Sequence, residues 1–316
     1  MNHTTPKAKI IVICGPTGIG KTSVAIRLAE HFNGQIIGAD SMQIYKYMDI
    51  GTAKPTIAEQ ARVVHHMVGI VTPDEPFDAA LYAESARQII TGLCQHDILP
   101  FVVGGTGLYI KALLFGLFND DVFDPHIRLK LKAEAQTLGI DALHQRLHLL
   151  DPETAQRLHP NDTYRILRAL EVVETSGKPI SRLHREHGFA EQSFDALKIG
   201  LQMERELLYE RINQRVDAMF AAGFLDEVKN LLARGYAADL KAMQSIGYRQ
   251  MVETIQGRIP IDDCLRIVKR DHRRYAKRQL TWFNADPVIV WKSPEQIEEM
   301  IRLIDKFIGA DKVGEN

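Results

Sequence analysis

The pattern of apolar and polar positions predicts alternating strands and helices in the first third of the chain. Residues 10 to 13, Ile-Ile-Val-Ile, form a β-branched apolar run that is typical of a strand buried on both faces. Further strand-like runs lie at 35–39, 65–70 and 98–103, with helix-period stretches between them. This alternation predicts an α/β fold with a parallel sheet as its core.

The pattern changes after Phe118. Residues 125–190 have helical periodicity and no convincing strand, and strand character resumes at 196–201. We therefore predict an α/β core made of residues 1–118 and 196–316, interrupted by a mostly helical insertion of residues 119–195. The predicted later elements are helices at about 204–221, 223–234, 245–256, 261–283 and 294–308, and a strand at 287–291.

Residues 15 to 22 follow the first strand directly and fit Gly-x-x-x-x-Gly-Lys-Thr, the pattern of a phosphate-binding loop. Its glycines let backbone N–H groups converge on an anion, and the helix that begins near Lys21 directs its positive end to the same place. Lys21 adds a charge for the outer phosphate, and the Thr22 hydroxyl can hold Mg²⁺. The predicted phosphate-binding residues are Gly15, Pro16, Thr17, Gly18, Ile19, Gly20, Lys21 and Thr22. The motif leaves the phosphate compound open.

Two other polar residues follow predicted strands. Asp40 comes after the strand at 35–39, and Thr106 follows the glycines that end the strand at 98–103. Ligands of open α/β sheets bind at the carboxyl ends of the strands, so Asp40 is expected to face the same crevice as the loop. In phosphoryl-transfer enzymes with this loop, one strand of the sheet usually ends in an Asp that holds Mg²⁺. In this sequence the strand at 98–103 ends in glycines instead.

Composition restricts the possible classes of protein. The chain has 316 residues, 45% hydrophobic and 25% charged, which is ordinary for a globular protein. The net charge of −1 excludes a polycation, so any nucleic-acid surface must come from local clusters such as the basic residues of 266–278. Three widely spaced cysteines predict no disulfide framework and favour a reducing cytoplasm. No apolar run approaches the roughly 20 residues of a membrane span.

Several stretches together resemble the bacterial tRNA dimethylallyltransferases, also called tRNA isopentenyltransferases, of the IPP transferase family. Their order and spacing cover nearly the whole chain, with one departure at Gly18-Ile19, where the family often has Ala-Ser. The stretches that carry the resemblance are 15–22, 40–55, 103–109, 159–171, 247–250 and 275–283.

The resemblance implies transfer of a dimethylallyl group from its diphosphate to the N6 amine of adenosine 37, with the loop and Mg²⁺ holding the diphosphate leaving group. Asp40 is similar to the family's catalytic aspartate, which takes a proton from the attacking amine. Thr106 is similar to a threonine near the reacting centre, and Arg215 to an arginine that reaches the diphosphate. The family also implies that the target base is flipped out of its stack.

The resemblance further implies contacts with the tRNA anticodon stem-loop by residues from five parts of the chain. We expect the helical insertion to clamp the stem-loop, and the protein to act as a cytoplasmic monomer. The implied tRNA-binding residues are Asp40, Ser41, Met42, Gln43, Thr106, Arg128, Tyr164, Arg165, Ile166, Leu167, Arg168, Gln244, Ser245, Ile246, Gly247, Tyr248 and Arg249.

Two alternatives remain at this point. A small-molecule kinase could use the same loop with a nucleoside triphosphate, and a non-catalytic RNA-binding protein could use it as a nucleotide switch. Labelled dimethylallyl diphosphate separates the three, since only a prenyltransferase places the label in RNA.

Overall fold

The chain folds into two compact units. The computed structural model describes residues 7–116, 124–187 and 192–309. Unit one, the sheet unit, comprises Met1–Leu114 and Ser193–Asn316, and unit two, the helical unit, comprises Phe115–Gln192. The predicted start of the insertion after Phe118 lies outside the described residues.

The sheet unit contains a six-stranded sheet in the order β3-β2-β4-β1-β5-β6, and every neighbouring pair is parallel. The predicted α/β fold is therefore confirmed. The strands are β1 (Lys9–Cys14), β2 (Gln35–Gly38), β3 (His65–His66), β4 (Pro100–Gly104), β5 (Asp195–Leu201) and β6 (Val290–Lys292).

The central strand β1 explains why its sequence is continuously apolar. Residues 10 to 13 have no exposed surface, because β4 and β5 pair along its two edges and helices cover its faces. The register places Cys14 beside Gly104 of β4 and Gly200 of β5. The carboxyl ends of these strands therefore lie level with the start of the phosphate-binding loop.

Helices connect the strands. The helices that begin in the sheet unit are α1 (Lys21–His31), α2 (Ile57–Arg62), α3 (Ala79–Gln95), α4 (Gly107–Phe115), α10 (Arg205–Ala221), α11 (Phe224–Ala233), α12 (Tyr248–Ile255), α13 (Ile261–Asn284) and α14 (Ile297–Gly309). In the helical unit they are α5 (Pro125–Leu138), α6 (Ile140–Leu150), α7 (Pro152–Arg157), α8 (Thr163–Ser176) and α9 (Ile180–His187).

The third strand is shorter than its apolar run predicts. The predicted strand at 65–70 ends at His66, because Met67 and Gly69 both have φ near +61° and turn the backbone out of the extended conformation. The two histidines form separate hydrogen bonds, His65 with the Val63 carbonyl and His66 with the Gln35 side chain, each at 2.7 Å.

The helical unit has its own apolar core. Leu131 of α5, Leu147 of α6 and Leu170 of α8 are fully buried against one another. Arg146 of α6 forms ion pairs with Glu134 of α5 and Glu174 of α8, which tie the three helices together at the edge of this core.

Candidate active site

The phosphate-binding loop has the backbone that its glycines predict. Gly15, Gly18 and Gly20 have φ of 144°, 81° and 99°, a region that side chains strongly disfavour. A Cβ on Gly15 would lie 2.9 Å from the carbonyl oxygen of Leu201 in β5. Gly20 is the N-cap of α1 and has no side chain to cap the first turn, so the helix start can receive an anion.

Lys21 folds back over this loop. Its Nζ donates to the carbonyl oxygens of Gly15 at 3.1 Å and Pro16 at 2.8 Å. Burial lowers the pKa of Lys21 from 10.5 to about 8, while the carboxylate of Asp40 acts to raise it and Arg215 to lower it further. The ammonium group is therefore held by neutral carbonyl groups. An anion bound at the same place would stabilise its charge far better than these carbonyls do.

Asp40 and Thr106 meet where β2 and β4 end. Asp40 Oδ1 accepts N–H bonds from Met42 at 2.9 Å and Gln43 at 3.3 Å, which closes a tight turn at the end of β2. Thr106 Oγ1 accepts the N–H of Ser41 at 3.0 Å, and its own N–H donates to the Ala39 carbonyl at 3.1 Å. The parallel strands thus bring these two residues, far apart in sequence, to one sheet edge.

A cavity of about 1110 Å³ joins the loop to the end of β2. Its walls come from the loop, the segment 40–60, the end of β4, the segment 244–248 and the helices α10 and α13. The side chains relevant to chemistry among its lining residues are Lys21, Thr22, Asp40, Arg215, His272 and Tyr275.

Arg215 of α10 reaches the loop from across the cavity. Its Nη1 donates to Thr17 Oγ1 at 3.4 Å. Burial lowers the pKa of Arg215, and the Asp40 carboxylate acts to raise it, so the two charges lie within electrostatic range. Arg211, one turn earlier on α10, is half exposed and pairs with Glu295 at 3.8 Å outside the cavity.

Helix α13 contributes three side chains to which the sequence analysis gave no role. Gln279 bridges the loop and β4, accepting the Thr17 N–H and donating to the Gly105 carbonyl, each at 2.8 Å. Burial, then the Asp40 charge, raises the pKa of Tyr275 to about 12. Burial, then Arg215, lowers the pKa of His272 to about 4, so its imidazole is neutral at pH 7. For Tyr275 and Gln279 the available signal was the stretch 275–283, which carried the resemblance without an assigned function, whereas His272 lies outside every such stretch.

The implied RNA-contacting residues of the sheet unit divide by exposure. Gln244, Ser245 and Ile246 line the cavity, and Arg249 is exposed at the surface. Tyr248 also borders the cavity, but it is 1% exposed and its hydroxyl donates to Glu227 at 2.6 Å, so this side chain packs into the cavity wall. The basic residues of α13 are largely paired within the unit, as Lys269 is with Asp217 at 2.5 Å.

The helical unit presents a narrower set of RNA-contacting candidates than the sequence indicates. The side chains of Tyr164 and Arg165 are 70% and 68% exposed. Ile166 and Leu167 are buried in the core of this unit, so their side chains are not exposed for contact, and tRNA binding by these two residues stays a prediction. Their places on the inner face of α8 follow from its 3.6-residue period.

Two further candidates of the helical unit share one buried carboxylate. Arg128 and Arg168 pair with Glu171 at 2.9 and 3.4 Å, and Glu171 is 1% exposed. The Arg128 guanidinium also lies 5.1 Å from the centre of the Tyr164 ring. These two arginines therefore hold the unit together as well as bordering its exposed surface.

A magnesium ion fits this cavity if the Thr22 hydroxyl and the phosphates of the substrate hold it together. Among residues 7–116, 124–187 and 192–309, no group of three or more His, Cys, Asp or Glu side chains could hold a metal. Mg²⁺ commonly keeps several waters and relies on substrate phosphates for other ligands. The Thr22 hydroxyl on the loop suits an ion that arrives with a diphosphate.

Within the same described ranges, no helix is both long and apolar enough to cross a membrane.

A buried strand, a glycine-rich loop and a helix start at the carboxyl edge of a parallel sheet define a P-loop-like α/β protein, whose loop suits a phosphate group. Comparison with known proteins gives the family. The family model described as IPP transferase matches residues 43–286, and the one described as isopentenyl transferase matches residues 8–66. The chain belongs to the IPP transferase family.

Relatives and solved structures agree with this assignment. The chain is 56% identical over 303 residues to the tRNA dimethylallyltransferase of Desulfosudis oleivorans, covering 96% of each chain. It resembles the full-length tRNA isopentenylpyrophosphate transferase of Bacillus halodurans, with a TM-score of 0.73, 38% identity and 98% and 100% of the two chains covered. It also resembles a eukaryotic dimethylallyltransferase crystallised acting on tRNA, with a TM-score of 0.82, 28% identity, and 96% of this chain and 80% of that one covered.

Proposed function

We propose that this protein transfers a dimethylallyl group from dimethylallyl diphosphate to N6 of adenosine 37 in tRNA, giving N6-(dimethylallyl)adenosine and diphosphate. One observation carries the proposal: a carboxylate, Asp40, shares a single cavity with Lys21, Thr22 and Arg215, which suit a diphosphate. The names of the relatives support the same reaction. The monomeric state and the cytoplasmic location remain predictions.

The donor end of the cavity suits a leaving diphosphate. As the bond between C1 of the prenyl group and the diphosphate oxygen breaks, both electrons stay with the oxygen. Lys21 and Arg215 then stabilise the growing negative charge, and the N–H groups of the loop bind the phosphates. Mg²⁺, held by Thr22 and the phosphates, would supply further positive charge there.

The acceptor end suits a purine amine. As N6 of adenine bonds to C1 it must lose a proton, and we assign its acceptance to the carboxylate of Asp40, which lines the cavity. Ligand pockets commonly measure about 300–1,000 Å³, so a cavity of about 1110 Å³ has room for a prenyl diphosphate and an unstacked base together. The kinase alternative is less well supported, because Gly104 and Gly105 stand where β4 would offer a magnesium-binding Asp.

The helical unit supplies a candidate surface for the rest of the RNA. Tyr164 can stack on an unpaired base, and Arg165 can contact a phosphate, since both side chains are largely exposed. We propose that this unit clamps the anticodon stem-loop, which is too large for a cavity at a sheet edge.

Asp40→Asn tests the proposed base. Because Asn keeps the oxygen that accepts from Met42 and Gln43, the turn should persist, while turnover should fall about 10²-fold or more. Mass analysis of nucleosides from treated tRNA measures the product, and dissociation constants for tRNA and the donor should change little. The control is Asp74→Asn, an exposed carboxylate bonded to Thr72. Near-normal turnover in Asp40→Asn would show that Asp40 is not the base, and wild-type protein that adds no prenyl mass to tRNA would refute the reaction.

A further inference from the structure

The Glu227 carboxylate of α11 is bonded to a loop that forms part of the cavity wall. Its Oε2 accepts the backbone N–H groups of Asp49 at 2.8 Å and Ile50 at 2.7 Å, and its Oε1 accepts that of Gly51 at 3.1 Å. The Tyr248 hydroxyl adds a fourth bond to Oε1, at 2.6 Å. One side chain thus satisfies three consecutive N–H groups some 176 residues away in the chain.

Close packing against Phe224, one turn before Glu227 on α11, and against Tyr248 holds the same loop in place. A Cβ on Gly51 would lie 2.2 Å from the Phe224 ring and 2.6 Å from the Tyr248 ring, so the backbone is pressed against both aromatic side chains. Phe224 and Tyr248 pack edge to face with ring centres 5.0 Å apart. The loop therefore has one position on the sheet unit, set by Glu227 and this aromatic pair.

The position of the loop determines the orientation of Gln43. Gln43 Nε2 donates to the carbonyl oxygens of Thr52 at 3.2 Å and Ala53 at 3.0 Å, the two residues that follow the loop held by Glu227. Its amide NH₂ group is thereby occupied, so the remaining hydrogen-bonding atom, Oε1, can only accept. Gln43 lines the cavity three residues beyond Asp40, beside the place proposed for the adenine.

We propose that Glu227 is a positioning residue for the RNA substrate: through the backbone of 49–53 it holds Gln43 with its oxygen available to a donor group of an unstacked base. The inference rests on the proposed function. Adenine offers such a donor at N6, and a side-chain oxygen fixed in advance discriminates better than an amide free to rotate. We expect Glu227 to act on the tRNA side of the reaction, since its hydrogen bonds go to the backbone of residues 49–51 and to the Tyr248 hydroxyl.

The test compares Glu227→Gln with Asp226→Asn in steady-state kinetics. In Glu227→Gln an NH₂ group replaces one acceptor oxygen and faces N–H donors, so KM for tRNA should rise about tenfold while KM for dimethylallyl diphosphate stays unchanged. The control Asp226→Asn removes the same charge from the same helical turn. Because the Asp226 side chain is 74% exposed and pairs with Lys229, this variant should match wild type. A rise in both KM values, or in neither, overturns the proposal, as it would for a residue that only stabilises the fold.

A double variant tests whether Glu227 acts through Gln43. If it does, Glu227→Gln combined with Gln43→Ala should have the KM for tRNA of Gln43→Ala alone, whereas multiplying effects would contradict the proposal. Should Glu227→Gln fail to fold, Tyr248→Phe decides: it removes one donor and leaves the carboxylate, so KM for tRNA should rise about threefold, and an unchanged value overturns the proposal. Wild-type protein without prenyl transfer would instead refute the proposed function, which separates the two failures.

Discussion

Lys21 is expected to take up a proton when the prenyl diphosphate binds at alkaline pH. Burial lowers its pKa to about 8 in the free protein, so about nine-tenths of the side chains are neutral at pH 9 and about one-tenth at pH 7. A diphosphate beside Nζ favours the charged form and raises the pKa again. Each binding event at pH 9 should therefore take up most of a proton, and each event at pH 7 only a small fraction of one.

The same change in pKa predicts how donor affinity varies with pH. Below pH 8 Lys21 is already protonated in the free protein, so its contribution to affinity is constant. Above pH 8 the free lysine loses its proton and binding must restore it, so affinity falls by up to about tenfold per pH unit, or 1.36 kcal/mol. The fall ends where the lysine of the complex itself deprotonates.

Calorimetric titration of dimethylallyl diphosphate in two buffers of different ionisation enthalpy counts these protons. At pH 9 the donor's own phosphates are ionised, with pKa values of about 6, so uptake reports on the protein. Lys21→Arg should take up almost none, because a guanidinium stays charged. Thr22→Ala should bind the donor more weakly yet keep the uptake, and both variants should leave tRNA affinity near normal. Uptake near zero in wild type at pH 9, or equal uptake in Lys21→Arg, would refute the assignment.

Two further predictions concern the RNA surface and the sheet. Arg165→Ala should raise KM for tRNA and lower the slope of log K against log salt by about 1, while Arg157→Ala, an exposed arginine of the same unit, should not; equal slopes for the two variants would argue against a clamp at Arg165. Gly104→Ala should lower the free energy of unfolding by about 3 kcal/mol, because its Cβ would lie 2.0 Å from the Ala39 oxygen. The matched Gly92→Ala has no heavy atom within 4 Å and should instead stabilise α3 by about 0.5–1 kcal/mol in thermal melting; similar melting temperatures for the two would contradict the steric argument.

Sequence reasoning succeeded where the determining residues are neighbours in the chain. β1, the phosphate-binding loop and α1 follow from residues 9–31 alone, because the apolar run, the glycines and the helical period all act locally. The strand at 65–70 was predicted too long, because hydrophobicity does not reveal that Met67 adopts a positive φ. Local patterns cannot distinguish a strand from an apolar turn of this length.

The parts of the site that depend on long-range packing were not predictable from local patterns. Gln279 reaches Thr17 across 262 residues, and Glu227 reaches Gly51 across 176. The first bond exists only once α13 packs beside the phosphate-binding loop, and the second only once α11 packs beside the loop at 49–51. Arg215 was found through the resemblance, whereas His272 belongs to none of the stretches that carried it. The roles of the individual site residues remain proposals for the experiments above.

The order of strands in the sheet has a consequence for the protein as it is synthesised. β1 is completed early, and its first neighbour, β4, ends at residue 104, but its other neighbour, β5, begins only at residue 195. The intervening 90 residues, 105 to 194, occupy the ribosome for roughly 5–20 s at about 5–20 residues per second. Throughout that interval the nascent chain carries an apolar, β-branched strand with one open edge, which invites pairing with other chains. We therefore expect synonymous codons that slow translation between residues 105 and 194 to prolong this vulnerable state and to raise the demand for chaperones during synthesis.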